Sequence, residues 1–122
     1  MPHKAGPPDD RERLVHMLEA AEDALRFAGD RIRDDLDIDR MLLRAIFQCI
    51  EVIGEAASRT TPEGRARVPG LPWQEIIKMR NILVHVYWGI DLDRVWDTVR
   101  TDLPSLVTTL RAALAAWPEE QS

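Results

Sequence analysis

The chain has 122 residues, a length that supports one domain and a single sizeable core. Its sixteen basic residues stand against twenty-one acidic ones, and a net charge of −5 argues against a broad electrostatic grip on nucleic acid. Apolar runs such as Ala112 to Trp117 fall far short of the roughly 20 residues that cross a bilayer, so no membrane segment is expected.

Residues 1–8, rich in proline and glycine, read as a disordered tail. They lack the apolar core of a signal peptide, which sets the expectation of a cytoplasmic protein. Asp9 and Asp10 then occupy N-cap and first-turn positions ahead of Leu14, Leu18, Ala21 and Leu25, which recur at helical spacing. A first helix is predicted near 9–28, ended by Gly29. Asp30 to Asp39 is a charged connector with room for a helical turn.

With Asp39 as its cap, a second helix is predicted over 39–59 from the stripe Leu42, Ile46, Cys49, Ile50, Ile53 and Ala57. Cys49, the single cysteine, sits on that apolar face and reads as a buried free thiol. Gly54, Ala57 and Ser58 form a small-residue face suited to close packing of a neighbour. Arg44, Gln48, Glu51 and Glu55 make a polar stripe at the same period, which is either a solvated face or the polar wall of a cleft.

Thr60 to Leu71 reads as one long loop broken by Pro62, Gly64, Pro69 and Gly70. Arg65 and Arg67 make it either a plain connector or a basic loop that touches phosphate. Pro72 suits the first turn of a third helix, with Ile76, Ile77, Leu83 and Val84 inward and Gly89 at its end. Asp91 caps a fourth, whose apolar residues run from Leu92 through Val95, Val99, Leu103 and Leu110 to Trp117, kinked or split at Pro104. The expectation is an all-α protein, an antiparallel four-helix bundle over residues 9–117 with a tail at 118–122. Of the tryptophans at 73, 88, 96 and 117, Trp96 reads as core and others as suited to a subunit interface.

The third helix carries the polar residues that invite a chemical reading: Arg80, Asn81, His85 and Tyr87. At 100° per residue His85 lies about 40° from Asn81 and one turn above it, so the amide can orient the imidazole. A metal-free ribonuclease needs a base for the ribose 2′-hydroxyl, an acid for the leaving 5′-oxygen, and a fixed cation at the phosphoryl oxygens. Imidazole moves protons best near neutral pH, and arginine supplies the cation. One protomer offers one well-placed histidine, since His3 is in the tail and His16 is among polar neighbours on the first helix. A two-fold dimer joining Arg80 and His85 of both chains in one groove would supply separate acid and base. A salt-bridged arginine and a hydrogen-bonded histidine fit the same spacing, and spacing alone leaves both readings open.

The segment from Met79 to Asp91, with Val95 to Val99 and Asp102 to Pro104, resembles the HepT toxins of the HEPN superfamily. Ile53 to Ala57 and Pro72 to Ile77 are similar to that family too, so the likeness is collinear over about residues 11–116. It implies a HEPN-like fold and a homodimeric, metal-independent RNA endonuclease that requires no cofactor, the toxin of a type VII toxin–antitoxin system. It also implies a partner, an MntA-like nucleotidyltransferase antitoxin that silences the toxin by AMPylation of the motif tyrosine, with larger hetero-oligomers as a further expectation. By position the catalytic pair is Arg80 and His85, Asn81 supports it, and Tyr87 is the modified residue. The chain departs from the pattern at Val86, where the family often has glycine. A nonenzymatic HEPN module that binds a nucleotidyltransferase or a nucleotide is the alternative the same resemblance allows.

Overall fold

The computed structural model describes residues 9–79 and 91–118. Among these the secondary structure is helical: α1 (Asp10–Ala28), α2 (Asp35–Ile38), α3 (Arg40–Arg59), α4 (Pro62–Ala66), α5 (described over 73–79), α6 (Leu92–Asp97) and α7 (Leu103–Ala115). Between α6 and α7, Thr98–Asp102 forms a π-helical turn, so the two run on as one interrupted helix. The bundle expected from the apolar periodicity is present, with two short helices, α2 and α4, set into its connections.

Local chemistry fixes the boundaries. Asp9 accepts a hydrogen bond from the Glu12 amide at 2.9 Å and starts α1; Asp39 does the same for Leu42 at 3.0 Å and starts α3. Gly29 ends α1 with φ of 41°, a left-handed conformation that favours glycine, and its N–H donates to the Leu25 carbonyl. The stretch read as one long loop contains α4, which Pro62 and the Thr61 cap nucleate: the Thr61 hydroxyl accepts from the Gly64 amide at 3.1 Å.

The interruption in the last helix precedes Pro104 rather than falling on it. Proline has no N–H to donate, and in an unbroken α-helix its ring would press on the carbonyl four residues back. The chain relieves this by pairing the Leu103 N–H with the Thr98 carbonyl, five residues away. The apolar spacing agrees: the buried residues Val95, Val99 and Leu103 step by four twice, which on an α-helix drifts about 40° per step. A wider turn keeps all three inward.

α1 packs most extensively on α3 and next on α7. Leu14, Met17, Ile46, Ile53, Val99, Leu103 and Leu110 are fully buried between them, and Ile76 and Met79 of α5 join the same core. Ala20, Ala21, Ala24 and Ala28 on α1, with Ala56 and Ala57 on α3, are buried small residues that keep these helices close. Cys49 is buried as a free thiol, and burial pushes its pKa up to about 11. No helix among the described residues is long and apolar enough to cross a membrane.

Candidate functional site

Arg80, Asn81, His85 and Tyr87 all lie in residues 80–90, outside the described residues, as do Leu83, Val84, Trp88 and Gly89. The tail expected at 1–8 lies outside them as well, as do residues 119–122 of the tail expected at 118–122. What the structure fixes is the ground on either side of the motif. Met79 is buried in the core at the end of the described part of α5. Asp91 opens α6 by accepting from the Arg94 amide at 3.1 Å, the cap expected of it.

Beside Asp91 is an open cleft of about 450 Å³ lined by Arg33, Asp91, Asp93, Arg94, Trp96 and Asp97. Arg33 is committed there to two carboxylates, Asp93 at 2.5 Å and Asp37 at 2.9 Å, and these bonds hold its pKa above the usual value. Its wall carries more carboxylates than guanidiniums, which opposes a phosphate. Arg100 closes the neighbouring junction: its Nη2 donates to the carbonyls of Gly29 at 2.7 Å and Arg31 at 2.9 Å, and its guanidinium stacks 4.7 Å from the Trp96 ring centroid. Trp96 is half-buried, packed against the core as expected and covered by the Arg100 guanidinium.

The basic residues of the Thr60 to Leu71 connection have different fates. Arg65 donates to the carbonyls of Thr60 at 3.1 Å and Ser58 at 3.2 Å and lies over Trp73, so its charge caps the C-terminus of α3. Arg67 is exposed over Trp117, in a broad depression of about 1150 Å³ that also holds Asp9, Asp10, Glu12 and Glu63. The expectation of a phosphate-touching loop fails for Arg65 because α3 already occupies it.

The polar stripe of α3 is part of a cleft. Gln48, Glu51 and Glu55 line an open groove of about 360 Å³ between α1 and α3, facing Arg13 and His16, with Val52 and Ala56 as its apolar part. Glu55 also binds Arg59 one turn on, at 2.7 Å, as a solvated pair would, and Arg44 stands exposed and does not line the groove. Arg13 was not singled out by sequence reasoning, and His16 was set aside for its polar neighbours. Their signal is the spacing of three on α1, which places both on one face, opposite a stripe on the next helix.

An all-α bundle whose sequence carries an Arg-x4-His-x-Tyr segment between the described part of α5 and α6 is consistent with a HEPN-superfamily protein. The profile described as "Ribonuclease HepT-like" matches residues 17–113, and the chain belongs to the HepT-like family. It is 34% identical over 93 residues to the "Putative RNase MJ1380" of Methanocaldococcus jannaschii, covering 76% of this chain and 85% of that protein. It is 32% identical over 96 residues to the "Probable ribonuclease HepT" of Thermococcus cleftensis, covering 79% of this chain and 87% of the relative. In a longer protein from M. jannaschii, "Gamma-glutamylcyclotransferase and putative RNase MJ0434", a 37% identical match spans 76% of this chain but 42% of the relative. No solved structure gives a significant match.

Proposed function

We propose that this protein is a metal-independent endoribonuclease, the toxin of a type VII toxin–antitoxin system, working in the cytoplasm. The observation that carries the reading is the extent of the family match: residues 17–113 enclose the whole Arg80-to-Tyr87 motif, and relatives covered over most of their length are named as ribonucleases.

His85 takes the proton from a ribose 2′-hydroxyl, whose oxygen attacks the adjacent phosphorus as the bond to the 5′-oxygen breaks. The second histidine of a two-fold dimer protonates that leaving oxygen. Arg80 stabilises the charge growing on the phosphoryl oxygens, and Asn81 holds the imidazole in place. Support for assembly comes from Ile32, Ile38 and Met41, apolar side chains 61%, 80% and 83% exposed around the short helix α2. The partner of this reading is an MntA-like nucleotidyltransferase. The Tyr87 hydroxyl attacks the α-phosphorus of ATP, pyrophosphate leaves with the electrons of the broken bond, the phenolic proton passes to solvent, and AMP remains on the tyrosine.

The test is cleavage of a mixed-sequence single-stranded RNA in EDTA by the purified protein and by His85→Ala. Cleavage by the wild type that survives chelation and disappears in the variant, with the helical circular dichroism unchanged, is the expected result. Equal cleavage by both proteins removes His85 from the reaction, and no cleavage by the wild type under any condition overturns the enzyme.

A further inference from the structure

Every large apolar side chain that the described structure leaves exposed falls in one stretch of the chain: Phe27 at the end of α1, Ile32 in the connector, Ile38 in α2 and Met41 in the first turn of α3. Elsewhere the described helices keep such residues at least partly covered. The same stretch does send Leu36 and Leu42 into the core, so the others are surplus to it. Together the four leave on the order of 400 Å² of apolar surface in water, about half of the roughly 800 Å² per partner that a stable interface buries. A patch of that size where α1 gives way to α3 marks a contact surface.

Charge selects what covers it. Most charged groups here are paired internally: Arg31 binds Asp35 and Asp39, and Arg33 binds Asp37 and Asp93. Four stand exposed without an ion pair among the described residues, and they fall in order along the chain: Asp30 and Asp34 ahead of α2, Arg40 and Arg44 one turn apart on α3. The face has an acidic edge, an apolar middle and a basic edge. A surface of this kind complements a copy of itself given half a turn, in which the connector of each protomer meets α3 of the other. A partner of one charge sign would match one edge and oppose the other.

We infer that this face is a two-fold interface between copies of the chain, with Ile32, Ile38 and Met41 buried at its centre and the acidic edge of each protomer on the basic edge of the other. The inference deepens the ribonuclease reading and takes from it only the need for a second histidine. Arg33 ties the face to Asp93, two positions after Asp91, where the described chain resumes beyond the Arg80-to-Tyr87 motif. A two-fold axis through this face therefore joins the chains next to the segment that follows the motif.

The experiment is sedimentation velocity of the full chain over a range of concentrations, with RNA cleavage in EDTA read on the same samples and circular dichroism checking the fold of each variant. The wild type sediments as twice the 13.9 kDa chain. Ile38→Glu places a charge at the centre of the face and raises the dimer dissociation constant by about a hundredfold. Arg40→Asp with Arg44→Asp makes both edges acidic, and Asp30→Arg with Asp34→Arg makes both basic, so each double variant alone dimerises about tenfold more weakly or worse. Mixed in equal amounts, the two recover a dimer close to wild-type affinity, because each edge again meets its opposite, and cleavage returns with it. If one charge variant fails to fold, Ile38→Glu, at an exposed position, decides. A dimer that none of the variants weakens overturns the face and leaves the ribonuclease reading standing. Variants that dimerise like the wild type but lose binding to an MntA-like nucleotidyltransferase assign the face to that protein, which also overturns the inference. Dimerisation with the stated dependence and no cleavage keeps the face and overturns the enzyme; a wild type that is monomeric at every concentration overturns the face and the shared two-fold site together.

Discussion

Arg100 and Gly29 are joined by a 2.7 Å hydrogen bond from the guanidinium to the carbonyl, although seventy-one positions separate them in the chain. The bond ties the C-terminus of α1, where carbonyls lack helical partners and the helix dipole is negative, to the π-turn before α7. The same side chain covers Trp96. Arg100→Ala is expected to lower stability by about 1–2 kcal/mol, a charge-assisted bond discounted for its exposure. Arg100→Lys recovers part of this, because an ammonium still reaches a carbonyl but loses the planar stack. Urea unfolding of the three proteins measures it, and equal midpoints would remove the clamp.

Asp39 has two roles that charge separates. Its carboxylate caps α3 through Leu42 and pairs with Arg31 at 2.7 Å, and that pairing, first among the causes, lowers its pKa. A carboxyl whose folded pKa lies below its unfolded value contributes stability above the unfolded pKa, about 3.9, and loses it as pH falls through the folded one. Asp39→Asn keeps a capping side chain and removes the charge. The variant is therefore expected to have a lower urea midpoint than the wild type at pH 7, and the gap should shrink steadily below about pH 4. A gap that stays constant down to pH 2 would rule out the carboxylate charge as its cause.

Gly64 is required by a neighbour rather than by its backbone angles. A Cβ there would lie 2.5 Å from the Asp10 carboxyl carbon and 2.9 Å from its Cβ, and Asp10 is held in place by the Thr61 amide at 2.9 Å. Gly64→Ala must displace that carboxylate and break its bonds to Thr61, at a cost of about 1–3 kcal/mol. With Asp10→Ala as the background, the same substitution costs less, since the carboxyl group it strikes is gone. A double-mutant cycle by thermal melting checks the coupling; strict additivity would contradict the contact.

The long helices could be read because their caps and apolar stripes are local: Asp9, Asp39, Asp91 and Gly29 act within four residues of themselves. α4 was not legible, because Pro62 and Gly64 are breakers by composition, and the helix depends on Asp10, fifty-one positions from Thr61, to hold its start. The interruption near Pro104 was foreseen in kind but not in place, since a π-turn answers both the proline and the four-residue steps upstream. In the site, the Gln48, Glu51 and Glu55 stripe announced a possible cleft wall, but its other wall, Arg13 and His16, belongs to another helix and emerges only when α1 meets α3. Arg80, Asn81, His85 and Tyr87 lie outside the described residues, and their proposed roles rest on motif spacing and family likeness.

In the proposed function, Tyr87 is where catalysis and its control separate. The proposed reaction uses Arg80 and His85 for bond breaking and gives the phenol no part in proton transfer. An adenylyl group on that oxygen would bring phosphate charge and an adenine within reach of Arg80, competing with RNA for the one cation the reaction needs. Tyr87→Phe removes the acceptor hydroxyl and keeps the ring. It is expected to cut RNA at a rate within about threefold of the wild type, because losing one hydroxyl outside the reacting groups costs less than 1 kcal/mol in the barrier. Incubated with ATP and an MntA-like nucleotidyltransferase, the wild type should gain the mass of an adenylyl group and lose cleavage, while the variant keeps its mass and its activity. Intact-mass spectrometry paired with the cleavage assay reads both outcomes. An adduct on Tyr87→Phe would move the modification to another residue, and a large loss of cleavage without partner or ATP would place the phenol inside the catalytic machinery.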